Sequence, residues 1–305
     1  MNGSESNETF PCFGSTATVL VSGAGPGGPP SVAATLAKRR LLEWHRQFSR
    51  FEPGSELSAL NADPAETVPV SPVMARLIAA ILEGARISGG LVDSTLVGEI
   101  ERAGYEEHFE VDRAIPVAAA LARAPARSPA GPAAVPLWEV VSLDLRAGTV
   151  TRPPGLRFDS GGIAKGLFGD ILADLLEMHP SFALDLAGDV RFGGSAGLLR
   201  AVDVASPLVD SIVHRFELTS GAVATSGIGR RSWLDADGNP AHHLLDAATG
   251  RPAFTGIVQV TAIAPSGVEA EILAKTALLR GPAGAAATLR HGGAVVHDDG
   301  RLEIV

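Results

Sequence analysis

Four short segments hold residues whose types and spacing can do chemistry. The first is Asp159-Ser-Gly-Gly-Ile-Ala-Lys165-Gly166. Glycines ahead of a helix let backbone N–H groups approach an anion, and the helix dipole favours negative charge there. Lys165 adds a positive point charge, and Asp159 can accept from a ligand ring or help hold a cation. Taken alone, the same string is an aspartate cap and a tight turn. The second is Asp185-Leu-Ala-Gly188-Asp189-Val-Arg191, where a strand ending in Gly-Asp puts an acid at a sheet edge beside a pocket. Its plain alternative is an Asp turn with an Arg–Asp surface pair. The third joins Ala222-Val-Ala-Thr225-Ser226-Gly227 to His242-His243-Leu-Leu-Asp246-Ala-Ala-Thr249-Gly250. Two hydroxyls before a glycine suit phosphate oxygens. A histidine with hydroxyls suggests a hydrolase, but no Gly-x-Ser-x-Gly elbow accompanies it. The fourth is Ser266-Gly-Val-Glu269-Ala-Glu271-Ile-Leu-Ala-Lys275-Thr276. Glu271 and Lys275 share a helix face. They make either a solvated ion pair or a place where Glu271 binds a hard cation such as Mg²⁺. For any one of these residues alone, a structural role outweighs a functional one.

The elements that must position these segments read as α+β. Ala17–Ser22 is a strand, and the Gly/Pro stretch from Gly23 to Pro30 is a turn rather than a phosphate loop, because Pro29-Pro30 intervene before the helix. Spacing predicts helices over Ser31–Phe48, Ser71–Ser88, Ile163–Met178 and Val268–Leu279, the second opened by Ser71-Pro72 as cap and first residue. In Ile163–Met178 the apolar stripe reads as Ile171, Leu172, Leu175 and Leu176. Trp138–Leu145 with Thr149–Thr151 reads as a hairpin. Phe182–Leu186, Leu199–Val204, Phe216–Leu218, Ala222–Thr225 and Val258–Ile263 read as strands, and Gly293–His297 with Leu302–Val305 as a closing hairpin. Strands and helices mix without a βαβ alternation, which points to a mixed, largely antiparallel sheet with flanking helices. The expected organisation is a disordered tail over residues 1–10 and one globular domain over 11–305. The Ala/Pro-rich stretch near 112–137 is expected to be a surface insertion, a short helix followed by a loose loop.

Composition narrows the function classes. The chain of 305 residues carries 25 basic against 34 acidic residues, a net charge of −9, with a pI near 5.4. That balance argues against general nucleic-acid binding, which needs a basic face, yet leaves room for a local basic pocket. The single cysteine, Cys12, excludes an intramolecular disulfide and a Cys-based zinc site. No secretory signal pattern and no membrane-length apolar run is seen, so a soluble, cytoplasmic protein is expected.

Order and content of the segments together say more. Phe13-Gly14-Ser15 precedes the first strand. Phe48-Ser-Arg-Phe51-Glu-Pro-Gly-Ser55-Glu56-Leu57-Ser58-Ala-Leu60-Asn61 follows the first long helix, and Ser88-Gly89-Gly90-Leu-Val-Asp93-Ser-Thr95 the second. With the four segments above, the series resembles the FAD:protein FMN transferase family, the ApbE-like flavin transferases, from about Phe13 to the C-terminus. The resemblance implies a T-fold-related α+β domain with one flavin site. It implies Mg²⁺-dependent attack by a Ser or Thr hydroxyl of an acceptor protein on the FMN phosphate of FAD, with AMP leaving. By position, Phe13, Gly90, Leu91, Val92, Asp93, Asp159, Lys165, Asp189 and His243 would contact FAD. His243, Thr225 and Ser226 would lie by the pyrophosphate and the acceptor hydroxyl. A metal ion would sit between the backbone at Gly162 and the helix of Glu271 and Thr276. The chain departs from the family's pattern at several positions. The family often has Asp where Glu271 stands, Thr for Lys275, an acid for Ile228, proline for Ser94 and methionine for Phe13. Lys275 would repel a cation: either its ammonium replaces part of the metal's charge, or Thr276 does the ligating. Two other activities use the same site, FAD cleavage to FMN and AMP by water, and flavin binding without chemistry.

Overall fold

The structure, a computed structural model, describes residues 5–109 and 111–305. Its frame is an eight-stranded sheet in which spatial order follows chain order. The strands are Glu5–Cys12, Ser15–Ser22, Ser181–Leu186, Asp189–Gly193, Gly221–Gly227, Ile257–Ala264, Gly293–His297 and Leu302–Ile304. Every neighbouring pair is antiparallel. Long excursions leave this meander and return to it. The largest, residues 23–180, carries the helices α1 (Pro30–Gln47), α2 (Glu56–Ala62), α3 (Pro72–Ser88), α4 (Val97–Arg102), α5 (Val117–Arg123) and α6 (Ala164–Leu176). Later come α7 (Gly267–Arg280) and α8 (Pro282–Thr288). Arg200–Ala205 and Ile212–Leu218 form a separate ribbon.

The expected disordered tail is corrected. Met1–Ser4 lie outside the described residues, but Glu5 to Phe10 belong to the first strand, paired from Glu5↔Ser22 to Cys12↔Ser15. As an edge strand it is mostly polar, and only Phe10 and Cys12 are buried. Its anchors are distant in sequence, such as the Lys38–Glu8 ion pair at 2.9 Å. The turn to the second strand is Phe13-Gly14, with φ of 56° and 69°. Such two-residue turns match the twist of a hairpin, but a left-handed aromatic residue is unusual.

The second correction concerns the Ala/Pro-rich stretch, which is not loose. Ser128 N–H donates to Phe254 O at 3.1 Å, and Ala130 N–H to Leu279 O at 2.8 Å. Gly131 N–H donates to the Asp246 carboxylate at 2.8 Å. The chain is thus strapped across the C-terminal end of α7. Smaller shifts follow from packing. Trp138 starts no strand; Leu137–Val140 is a 3₁₀ turn before the hairpin Ser142–Asp144 and Thr149–Thr151. In α6 the buried stripe is Leu167, Phe168, Leu172 and Leu176, while Leu175 is exposed. The Gly/Pro turn leads into α1 directly at Pro30, since proline is compatible with a first helical position.

Two cores hold the sheet to its helices. Val19, Leu41, Trp44, Leu77, Ile81, Phe168 and Leu184 belong to the first. The second is lined by small residues: Ala222, Ala224 and Ala262 from the sheet meet Ala270, Ala274 and Ala277 of α7. Small side chains let a helix lie close, and α7 is accordingly buried nearly all round. The tightest approach is between α6 and α7. A methyl group on Gly166 would lie 2.7 Å from Val268 N and overlap the Gly267 carbonyl. Asp170 then caps α7, accepting from Gly267 N–H at 2.7 Å and Val268 N–H at 3.1 Å. This crossing sets Lys165 of α6 beside Glu271 and Lys275 of α7.

Candidate functional site

Helices α1, α4, α6 and α7 and the loops between elements enclose a cavity of about 450 Å³. Its wall combines two kinds of surface. One is aromatic: Phe13, Trp44, Phe48, Phe51, Tyr105 and Phe168 line it. Trp44 and Phe13 stack on Phe168 with centroids 5.1 and 6.0 Å apart, a form suited to flat rings. The other is polar and largely cationic, with Lys165, Arg231 and Lys275 beside His243, Asp93 and Asp159.

The scaffold explains much of the sequence pattern. Ser55 caps α2 by accepting Ser58 N–H at 2.9 Å. Glu56 accepts from Ser71 N–H and Oγ, both at 2.7 Å. Asn61 clamps the segment before the glycine turn: its amide donates to Phe158 O at 2.9 Å, and its oxygen accepts Phe158 N–H at 2.8 Å. Asp159 N–H in turn donates to Ser94 O at 2.8 Å. The Ser55–Asn61 stretch therefore holds the site rather than touching a ligand. Asn61→Ala should cost about 1–3 kcal/mol by stranding the Phe158 amide and carbonyl. An unchanged denaturation midpoint would show that water replaces the clamp.

Of the residues expected at the site, Phe13, Leu91, Val92, Asp93, Asp159, Gly162, Lys165 and His243 line the cavity. Gly90 lies behind, against Pro132 of the strap. Asp189 sits under Lys165, ion-paired to its ammonium, and accepts Thr225 N–H at 2.9 Å. Glu271 and Thr276 are buried in the layer beneath. Thr225 and Ser226 do not line the cavity. Adjacent strand residues face opposite ways: Ser226 is buried, while Thr225 is exposed and pairs with Thr261 Oγ1 at 2.9 Å. Asp246 does not line the cavity; it accepts Thr249 Oγ1 at 2.8 Å besides pinning the strap.

Several wall residues escaped the sequence reading, Arg50, Tyr105 and Arg231 among them. Arg50 donates to Asp159 at 2.7 Å and to Tyr105 O at 2.5 Å, its guanidinium 4.1 Å from the Phe51 ring centroid. Tyr105 carries no local motif. Arg231 reaches Phe13 O at 3.4 Å and Tyr105 Oη at 3.5 Å. Arg50 lies inside the Phe48–Asn61 stretch, the one signal that pointed to it.

Electrostatics follow from burial. Burial pushes the Glu271 carboxyl up to about 8, with Lys275 opposing the shift. Burial also opposes charge on Asp189 and Lys165, but their mutual attraction wins: the acid is lowered and the amine raised. Near pH 7, then, Lys165 and Asp189 cancel, Glu271 is largely neutral, and Lys275 and Arg231 leave the wall net positive. An anionic ligand fits that wall. Burial first, then Arg231, holds His243 well below the usual histidine value, so its imidazole is neutral near pH 7; its Nδ1 is buried without a partner.

His242 faces the other way, onto the Phe254 ring at 4.7 Å, and burial lowers it to about 3. The unfolded chain binds this proton near pH 6.5, so between 6.5 and 3 the unfolded state holds more protons. Stability from His242 is present above pH 6.5 and falls by up to about 1.4 kcal/mol per pH unit on acidification. Urea midpoints between pH 7.5 and 4.5 should show a shallower decline for His242→Leu; an equal slope would mean that His242 is protonated in the fold.

A model of the ApbE family matches residues 13–296. The chain belongs to the ApbE family. Among curated ApbE relatives, an FAD:protein FMN transferase of Treponema pallidum is 30% identical, over 91% of this chain and 79% of its own. One of Vibrio cholerae is 26% identical over 81% and 73%. Solved structures share the fold. The ApbE protein of Thermotoga maritima has a TM-score of 0.77 at 24% identity, covering 99% of this chain and 97% of its own. The flavin transferase ApbE of Vibrio cholerae has a TM-score of 0.73 at 22% identity, with the same coverage.

Proposed function

We propose that this protein moves the FMN half of FAD onto a serine or threonine hydroxyl of an acceptor protein. The observation that carries the reading is the cavity itself: flat aromatic walls next to a cationic cluster and a neutral histidine. Family membership with proteins named FAD:protein FMN transferase supports it. In the proposed step the acceptor oxygen attacks the FMN-side phosphorus. The bond to the oxygen bridging the two phosphates breaks, AMP leaves with that oxygen, and a phosphoester forms. His243 takes the hydroxyl proton, being unprotonated and at the wall. Lys275 and Arg231 neutralise the pyrophosphate and Lys165, held by Asp189, donates to it, since this chemistry needs charge stabilisation and positioning more than covalent help.

The Mg²⁺ implied by the resemblance would fall to Gly162, Glu271 and Thr276. Both Glu271 oxygens and Thr276 Oγ1 are buried without hydrogen-bond partners, as cation ligands would be. The donor set is otherwise poor. Mg²⁺ asks for six oxygens at about 2.0–2.1 Å, and the described residues hold no group of three or more His, Cys, Asp or Glu placed for a metal. Lys165 and Lys275 ammonium groups stand 3.9 and 4.0 Å from the one carboxylate. These residues do not fit a divalent ion.

Purified protein incubated with FAD and a candidate acceptor tests the function. AMP together with flavin covalently on the acceptor is expected. AMP with free FMN would mean hydrolysis instead, and FAD retained without AMP a binding protein. A cytoplasmic setting is part of the same proposal; the free, buried Cys12 is compatible with it, and no helix among the described residues is long and apolar enough to cross a membrane. Cell fractionation of the full chain checks the setting.

A further inference from the structure

We propose that the Lys275 ammonium stands where a divalent cation would sit against the phosphates of FAD, so that this chain binds and processes FAD without a divalent metal. The inference rests on the FMN-transfer reading above. Its ground is the space between the glycine turn and α7. A methyl group on Gly162 would meet Lys275 Cε at 3.4 Å and Cδ at 3.8 Å, so the lysine chain fills the interval between that backbone and Glu271. The side chain is largely buried, with its nitrogen 4.0 Å from Glu271 Oε1, and it also lines the cavity. Lys275 therefore touches both the acid layer below and the ligand space above, the two surfaces that a bridging cation would join.

The alternative, lysine and metal together, is disfavoured by charge. Lys165 is already ion-paired to Asp189, which leaves Glu271, worth at most one negative charge, to face a divalent ion. A divalent ion would add two positive charges beside two ammonium groups in a buried layer, where like charges repel strongly. An ammonium supplies three donors to phosphate oxygens and one positive charge, and Arg231 adds a second on the same wall.

The experiment compares EDTA-treated, desalted full-length protein with the same protein in millimolar Mg²⁺. FAD affinity is read by flavin fluorescence, transfer by flavin on the acceptor, and Mg²⁺ binding by calorimetry. Affinity and rate within about twofold in the two conditions are expected, with no Mg²⁺ heat. Lys275→Thr should weaken metal-free FAD binding about tenfold or more, the loss of one charge-assisted contact, and added Mg²⁺ should restore part of it. Lys275→Arg keeps the charge and should stay metal-independent. Should the threonine variant not fold, the wild-type comparison and the arginine variant decide. FAD binding or transfer that EDTA abolishes and Mg²⁺ restores in the wild type overturns the proposal. A protein that makes no AMP under any condition refutes the transferase reading, while metal-free FAD binding that depends on Lys275 still upholds this one.

Discussion

Replacing His243 with alanine is expected to slow FMN transfer about 10²- to 10⁴-fold, the usual worth of a positioned general base, while FAD affinity changes only a few-fold. The split follows from charge. His243 is neutral in the free protein because burial and Arg231 hold its pKa well below the ordinary value, so removing it takes no positive charge from the phosphate wall. Lys165, Lys275 and Arg231 remain to bind the pyrophosphate. The same depressed pKa shapes the pH profile. The rate at low FAD concentration reports the free enzyme. It should show no fall as pH drops from 7 through 6.5, because the base is unprotonated there. An acid limb near 6.5 would mean that His243 is solvated and paired. A transfer rate that survives His243→Ala would remove the base role altogether, leaving charge neutralisation and positioning as the catalytic terms.

How much of this was legible depends on the range of the interaction that fixes each feature. Local signals were read well. Ser71-Pro72 opens α3, with Ser71 Oγ accepting Met74 N–H at 3.2 Å, and Gly89 closes it with φ of 67°. The strap was misread because its partners, Asp246 and Leu279, lie far along the chain; the first strand pairs with its immediate neighbour and was misread because it is a mostly polar edge strand with only Phe10 and Cys12 buried. At the site, the glycine-lysine segment and His243 were visible because residue type and neighbours announced them. Arg231 and Tyr105 were not, since only the fold brings residues 13, 105 and 231 together. Thr225 and Ser226 were paired as pocket residues although two successive strand residues cannot both face one pocket, and neither lines the cavity. Lys275 stood out as a departure from the family's pattern, and its place beside Gly162 needed the α6–α7 crossing to become visible.

That crossing yields the other large expected effect. Gly166→Ala should destabilise the protein by about 3 kcal/mol or more, although the same change in an open helix gains up to about 1 kcal/mol. The sign is decided by what the new methyl meets. At Gly166 it meets the backbone of Gly267 and Val268, which cannot rotate away as a side chain can, and overpacking of that kind commonly costs about 1–3 kcal/mol even against side chains. Moving α7 aside would also strain the Asp170 cap on its first turn. Gly98→Ala in α4 is the matched control, because its nearest neighbour is the far end of Arg102 at 3.6 Å, and it should be neutral or mildly stabilising. The urea midpoint should therefore fall for Gly166→Ala and not for Gly98→Ala. The crossing also sets Lys165 against Glu271 and Lys275, so whatever Gly166→Ala protein folds should bind FAD more weakly than wild type. A stabilised Gly166→Ala variant with unchanged FAD affinity would show that the two helices stand further apart than described, and with them the charges on which the phosphate wall depends.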